Sequence, residues 1–138
     1  MSQADVELMR RMYEAWGRGD ADALVELFDP AAEVRPAFGV VLSSTVYRGH
    51  EGVAAWYGET YEPWSELRAE PLRFVAAGER MVVVVGLHAR VPGGQVELEA
   101  EIAHVVTIRD GKILRLDGYD EPHAALRAVG LAGKADTP

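Results

Sequence analysis

The chain has no cysteine, which excludes disulfide bonds and any metal site built on thiolates. Positive charge is also scarce, because 14 Lys and Arg residues face 22 Asp and Glu residues and the formal net charge is −8. Nucleic acids and anionic membranes bind clustered positive charge, so we expect neither as a partner. The N-terminal segment has Asp5 and Glu7 early and fits neither a signal peptide nor a membrane span. We therefore expect a cytoplasmic location.

The sequence also lacks the common motifs of cofactor and metal chemistry. It has no Walker loop, no G-x-G-x-x-G, no H-E-x-x-H and no G-x-S-x-G. Glu97, Glu99 and Glu101 stand close together but alternate onto one strand face, which is typical of solvated charge. We expect no cofactor and no metal. The length and the 49% hydrophobic content suit one domain, which we predict over residues 1–131 with a disordered tail over 132–138.

Three helices are predicted in the first half of the chain. Apolar residues recur at three- and four-residue spacing over residues 2–17, and a second, shorter helix is predicted over 21–28. Gly19 suits the end of the first helix and Asp20 the N-cap of the second. A third helix is predicted over 50–64, and its inner stripe is aromatic.

The second half of the chain alternates between apolar and polar residues, which predicts an antiparallel meander. An earlier short strand is predicted over 33–38, where Pro36 marks an edge or a bulge. The predicted segments of the meander are the strands 72–77, 80–91, 95–109 and 112–119, followed by a short helix over 121–131.

The loop at residues 92–95 fixes the register of the central hairpin. Pairing across this loop places Val83 opposite His104 on one face and His88 opposite Glu99 on the other. The first face is then apolar except for His104, and the second holds compensating charges. We interpret His88 as a structural residue on the outer face.

His104 is the one ionisable residue on the apolar face of its strand. Burying an unsatisfied polar group costs about 1–3 kcal/mol, so the ring needs a partner or a cavity. The sequence therefore predicts a small hollow α+β domain with His104 on the cavity side.

The last hairpin has two possible registers. In the first, a two-residue turn at 110–111 pairs Arg109 with Lys112 and puts Asp117 directly opposite His104. Asp117 would then be the carboxylate nearest the imidazole.

The second register has a bulge in the turn, which pairs Ile108 with Lys112. His104 then faces Leu116, and Asp120 becomes the nearest inner carboxylate. The hydrophobic alternation of the last strand favours this second register, and Asp117 stays an alternative.

Large aromatic residues are concentrated in the helices and the early loop, in contrast to the meander. They could form a hydrophobic ligand cage, or simply the core where helices meet the sheet. The residues concerned are Tyr13, Trp16, Phe38, Trp56 and Tyr61.

Four segments, in this order and spacing, carry a resemblance to a known family. They are YEAWGRGDADALVELFDP, YRGHEGVAAWY, AAGERMVVVV and HVVTIRDGKILRLDGYDEPHAALRAVGL. The chain resembles the SnoaL-like polyketide cyclases, within the nuclear-transport-factor-two and ketosteroid-isomerase-like superfamily. The resemblance implies an α+β cone-shaped roll, in which a curved, mostly antiparallel sheet wraps around about three N-terminal helices. It also implies an apolar pocket and a homodimer formed through the convex face of the sheet.

Carrying the ketosteroid isomerase pattern over by position gives a mixed result. That mechanism combines an Asp base with a Tyr and a protonated Asp that stabilise an oxyanion. Here the base position falls on Pro36, the oxyanion tyrosine on Met12 and the protonated aspartate on His104. The supporting tyrosine of the third helix is kept as Tyr57. Steroid isomerase chemistry by that mechanism is not expected.

The SnoaL-type cyclases match better, because their inner histidine falls on His104. The acid of their last strand falls on Gly118, so Asp120 or Asp117 would have to replace it from nearby. A third, weaker resemblance is to the limonene-epoxide hydrolases, for which only Arg35 and Asp120 are loosely placed.

The sequence thus predicts cofactor-independent acid–base chemistry, such as cyclisation, isomerisation or hydration, on an apolar carbonyl compound. The alternative is a non-catalytic domain that binds a small ligand or serves assembly. The candidate catalytic residues are His104, Asp120 and Tyr57. The candidate ligand-binding residues are Met12, Trp16, Phe38, Trp56, Val85, Leu116 and Gly118.

Overall fold

A computed structural model describes residues 1–37, 46–94 and 97–131. Its elements are α1 (Gln3–Arg18), α2 (Ala21–Glu26), β1 (Phe28–Arg35), β2 (Tyr47–Arg48), α3 (Gly49–Tyr61), β3 (Glu66–Ala77), β4 (Arg80–Arg90), β5 (Glu97–Arg109), β6 (Lys112–Tyr119) and α4 (Pro122–Ala128). The strands form one curved, unclosed sheet in the order β2-β1-β6-β5-β4-β3. Strands β1 and β6 are parallel, and the other pairs are antiparallel. The predicted α+β class is confirmed.

The ends of the first two helices follow from local sequence. Ser2 and Asp5 form a capping box at the start of α1, which satisfies backbone amides that have no partner within the helix. Gly19 ends α1 in the left-handed conformation, and the Asp20 side chain accepts a 3.1 Å hydrogen bond from Ala23 N at the start of α2. The predicted roles of Gly19 and Asp20 are confirmed.

Two strands begin earlier than the sequence predicts. β1 starts at Phe28, which was expected in a helix, and its pairing with β6 is irregular around Pro30, which has no amide hydrogen to donate. β3 starts at Glu66 and carries an irregularity next to Pro71, which hid the first half of the strand from the alternation pattern. Phe38 and the predicted tail over 132–138 lie outside the described residues.

The central hairpin has the predicted register. Val83 pairs with His104, and His88 pairs with Glu99. The side chains of the second pair meet on the outer face, where His88 Nδ1 lies 3.2 Å from a carboxylate oxygen of Glu99. The structural role that we assigned to His88 agrees with this contact.

The β5–β6 hairpin combines the two predicted registers. Asp110 and Gly111 both have positive φ, as in a type I′ turn, and Arg109 pairs with Lys112. The register then shifts on β6, so that His104 faces neither Asp117 nor Leu116. It pairs with Gly118. Both predicted partners of His104 are wrong, because the bulge lies within β6 and not in the turn.

The helices cover both faces of the sheet. Helices α1 to α3 pack on the inner face and form the larger core with residues of β1, β4, β5 and β6. Helix α4 packs on the outer face, where Ala125 and Leu126 contact a smaller cluster that contains Val82, Ala103 and Val105. None of the helices in the described parts of the chain combines the length and the apolar character that a membrane span requires.

Candidate functional site

A cavity of about 560 Å³ lies between the helices and the inner face of the sheet. Its wall is mostly apolar, since aliphatic and aromatic side chains of α1, α3 and β3 to β5 provide most of it. The described lining residues are Tyr13, Trp16, Pro36, Ala37, Tyr47, Trp56, Glu59, Thr60, Pro63, Trp64, Leu67, Ala69, Leu87, Ala89, Leu98, Ala100, Ile102 and His104.

Tyr13 and His104 form a hydrogen-bonded pair in the wall of this cavity. The Tyr13 hydroxyl lies 2.7 Å from His104 Nδ1, and the two rings are nearly parallel with their centres 5.8 Å apart. His104 is only 6% exposed and, apart from tyrosines and tryptophans, is the one polar residue among the buried residues that the structure describes. The sequence predicted that the His104 ring needs a partner or a cavity, and the structure provides both the Tyr13 hydroxyl and the cavity.

Burial keeps both members of the pair uncharged. It lowers the pKa of His104 to about 4, because the imidazolium would lose its hydration in an apolar wall. It raises the pKa of Tyr13 well above the ordinary value of a phenol for the same reason. At neutral pH the pair is therefore a neutral imidazole and a neutral phenol.

Trp16 carries a further polar group on α1, three residues after Tyr13. Its indole Nε1 is buried and has no acceptor among the residues that the structure describes. The ring packs against Trp56 at 5.1 Å and edge-on against Tyr57 at 4.9 Å. A buried donor without an acceptor destabilises the fold by about 1–3 kcal/mol, and the same burial keeps this nitrogen out of reach of a ligand in the cavity.

The structure places two of the three candidate catalytic residues away from the cavity wall. The Tyr57 hydroxyl donates a 3.1 Å hydrogen bond to the Trp16 carbonyl oxygen, and burial raises the pKa of Tyr57 to about 12. Asp120 is exposed beyond the end of β6. Neither residue is among the described residues that line the cavity with His104.

The candidate ligand-binding residues divide in the same way. Trp16 and Trp56 line the cavity. Met12, Val85 and Leu116 are fully buried in the core and do not line it. The hydroxyl that the ketosteroid isomerase pattern placed at Met12 is instead provided by Tyr13, one residue later. Phe38 lies outside the described residues.

Gly118 faces His104, but the space in front of it is filled. A methyl group at Gly118 would come within 2.8 Å of Ala37 Cα, so the backbone after β1 packs directly on this glycine. Pro36 and Ala37 reach the cavity wall through this close approach. The cyclase pattern places an acid at this position. Here the residue is glycine, and the approach of Ala37 leaves no room for a larger side chain.

The other carboxylate expected near the pair takes part in a separate ion-pair group. Asp117 lies 3.5 Å from Arg35 and 3.0 Å from Arg115, and none of the three lines the cavity. The arginine and carboxylate arrangement of the epoxide hydrolases is therefore absent from the described wall. No group of three His, Asp or Glu side chains among the described residues could hold a metal ion.

A polar group at one edge of the cavity was missed from the sequence. The Tyr47 hydroxyl donates a 2.7 Å hydrogen bond to Glu59, and both residues line the cavity together with Thr60. The signal was present, since Glu59 and Thr60 follow Trp56 at three- and four-residue spacing on α3.

Comparisons with known proteins agree with this architecture. Residues 9–116 match the model of the SnoaL-like domain. The chain is 30% identical over 122 residues to the uncharacterized protein Rv0034 of Mycobacterium tuberculosis, covering 88% of this chain and 92% of that protein.

Solved structures show the same fold at lower identity. TerC co-crystallized with polyporic acid has a TM-score of 0.74 and 20% identity, over 92% of this chain and 98% of that one. The Δ5-3-ketosteroid isomerase from Mycobacterium sp. has a TM-score of 0.70 and 20% identity, over 86% and 94%. The family match, the relative and the fold lead to one conclusion: the chain belongs to the SnoaL-like domain family.

Proposed function

We propose that the protein catalyses proton transfer on an apolar carbonyl compound without a cofactor, and that Tyr13 and His104 are its catalytic pair. The observation that carries this proposal is the 2.7 Å hydrogen bond between the two side chains in the wall of an apolar cavity. Polar groups held in a low-dielectric site stabilise a developing enolate oxygen more strongly than water does.

The pair always offers one donor and one acceptor to a ligand. Tyr13 and neutral His104 carry two exchangeable protons, and their mutual hydrogen bond uses one of them. If the hydroxyl donates to Nδ1, the imidazole Nε2–H is the free donor. If Nδ1–H donates to the hydroxyl oxygen, the free groups are the O–H and the Nε2 lone pair.

These donors and acceptors support a proton relay that leaves no net charge on the pair. Nε2 of His104 takes a proton from the carbon next to the substrate carbonyl, and Nδ1–H passes its proton to the Tyr13 oxygen. The Tyr13 O–H proton moves to the carbonyl oxygen at the same time, which gives an enol and leaves the pair uncharged. Return of a proton to another carbon completes an isomerisation, and attack of the enol carbon on a second carbonyl completes a cyclisation.

The comparisons support a small organic ligand in this fold. TerC was co-crystallized with polyporic acid, and the ketosteroid isomerase is an enzyme of the same fold.

Hydrogen–deuterium exchange tests the proposal without knowledge of the natural substrate. Apolar ketones are incubated with the protein in D₂O, and loss of the α-proton signal is followed by NMR. We expect exchange above background for at least one ketone and a loss on the order of 10²-fold in Tyr13→Phe and His104→Leu. His88→Gln, on the outer face, is the matched control and keeps the full rate. Equal rates in the wild type and both pair variants would contradict the proposal.

A ligand-binding role without turnover is the second candidate. Pro36 stands at the base position of the isomerase pattern, and Gly118 at the acid position of the cyclase pattern. If a ketone binds but no α-proton exchanges at any pH between 5 and 9, this second function is the correct one.

A further inference from the structure

The cavity has a single charged side chain among its described lining residues. Glu59 is exposed on α3 and stands where the wall meets solvent, while the remaining wall is aliphatic, aromatic or neutral polar. No lysine or arginine is part of the described wall. The electrostatic character of the entrance therefore depends on one carboxylate.

The position of this carboxylate is built into α3. Trp56, Glu59, Thr60 and Pro63 recur at three- and four-residue spacing, and all four line the cavity. Trp56, Glu59 and Thr60 form one stripe of the α3 surface, and Pro63 and Trp64, which follow the helix, continue the same wall.

A neighbouring strand holds the carboxylate in place. Tyr47 of β2 donates a 2.7 Å hydrogen bond to one oxygen of Glu59. Gly52 allows this arrangement, because a methyl group there would lie 2.9 Å from the Tyr47 backbone. The second carboxylate oxygen accepts no hydrogen bond from the described residues, so it is available to a ligand.

We propose that Glu59 is a specificity-determining residue that binds a protonated amine at the entrance, so that the ligand is an apolar molecule with a cationic amino group. The free carboxylate oxygen would pair with the ammonium, and the faces of Trp56 and Trp64 would favour the same cation. A carboxylate ligand would meet repulsion from Glu59 and find no compensating cation. This inference rests on the proposed function in that it names the substrate class of the same cavity.

The expected discrimination is moderate, because Glu59 is exposed and its charge is screened. A single exposed ion pair of this kind changes affinity by up to about fivefold. The effect should decrease between 0.02 M and 0.5 M NaCl, because the screening length shortens with salt.

A matched series of probes tests the inference. 4-Phenylbutylamine, 4-phenylbutanol and 4-phenylbutyrate share one apolar body and differ in charge. Excitation at 295 nm reports binding, since the three tryptophans of the chain all line the cavity. We expect the amine to bind about two- to fivefold more tightly than the alcohol, and the carboxylate most weakly.

Two variants separate the local carboxylate from the overall charge of the protein. Glu59→Gln should abolish the difference between amine and alcohol and leave alcohol affinity unchanged. Glu62→Gln removes the same charge from an exposed neighbour outside the cavity wall and should keep the difference. Tyr47→Phe should reduce the difference between amine and alcohol affinity, because the Glu59 carboxylate loses its orienting hydrogen bond.

The inference would be overturned if Glu59→Gln kept the amine preference, or if Glu62→Gln lost it to the same extent. It would also be overturned if the carboxylate bound best, or if none of the three probes bound at millimolar concentration. These outcomes are independent of the α-proton exchange that tests the proposed function. The amine preference can hold when no exchange occurs, and exchange can occur without any amine preference.

Discussion

The backbone of Ala37 lies so close to Gly118 that no side chain fits between them. This contact joins the end of β1 to β6 directly in front of His104, which pairs with Gly118 across the sheet. The acid of the cyclase pattern is therefore replaced by main chain. The polar groups of the described cavity wall therefore come from other elements, with Tyr13 on α1 and His104 on β5.

Gly118→Ala should destabilise the protein by about 1–3 kcal/mol, because the methyl group forces the backbone at Ala37 to move. Urea unfolding measures the free energy of unfolding. Gly58→Ala is the matched control, since Gly58 lies within α3 and a methyl group there contacts nothing within 4 Å. It should stabilise by up to about 1 kcal/mol through helix propensity. Equal effects of the two substitutions would contradict the close approach.

The hydrogen bond between Tyr13 and His104 should be measurable as a coupling between the effects of the two residues on the free energy of unfolding. We expect Tyr13→Phe alone to lower the free energy of unfolding by about 1–3 kcal/mol, because a buried imidazole nitrogen loses its partner. In a double-mutant cycle with His104→Leu, the double variant should lose about 1 kcal/mol less stability than the sum of the two single losses. Strict additivity would show that the two side chains do not interact.

His104 should make the stability depend on pH. The pKa of the folded state, about 4, is lower than the ordinary value of 6.5, so the unfolded chain binds a proton more readily. The stabilisation by this residue is complete above pH 6.5 and is lost as the pH falls toward 4. Between pH 7 and pH 5 the loss should be about 2 kcal/mol.

His104→Leu provides the comparison that isolates this effect. The other three histidines and the carboxylates titrate in both proteins, so they cancel in the difference between the two unfolding curves. If the wild type and the variant lose stability in parallel between pH 7 and pH 5, the ring is not buried as a neutral imidazole.

Two alanines of the sheet should respond oppositely to enlargement. Ala89 lines the cavity, so Ala89→Leu extends into open space and should change stability by less than about 1 kcal/mol while weakening binding of phenylbutanol. Ala103 packs under α4 on the outer face, so Ala103→Leu should destabilise by about 1–3 kcal/mol and leave binding intact. Thermal unfolding and tryptophan fluorescence distinguish the two; matching behaviour would argue against an open cavity.

The sequence predicted most of the fold, because strand alternation and helix caps are local signals. Gly19, Asp20 and the pairing of Val83 with His104 were all correctly predicted from spacing alone. The β6 register was not, because a bulge within a strand leaves no separate mark on the alternation. The predicted starts of β1 and β3 are too late, because Pro30 and Pro71 interrupt the alternation of apolar and polar residues that indicates a strand.

The candidate site was predicted only in part, for a physical reason. Periodicity identifies which face of an element is apolar, and it therefore placed His104, Trp16 and Trp56 correctly. It does not show how far the helices stand from the sheet, and this distance decides that Tyr13 lines the cavity while Met12 is core. The hydrogen bond between Tyr13 and His104 joins residues 91 positions apart, which no local pattern reveals.

The parallel pairing of β1 with β6 joins two segments from opposite ends of the described chain. β1 lies near the start of the chain, and its partner β6 is the last strand to be synthesised. Contacts between such distant segments form slowly, since the ends of a long loop must first meet. Because Gly118 of β6 packs on Ala37, the part of the cavity wall at Pro36 and Ala37 can be fixed only after this last pairing has formed.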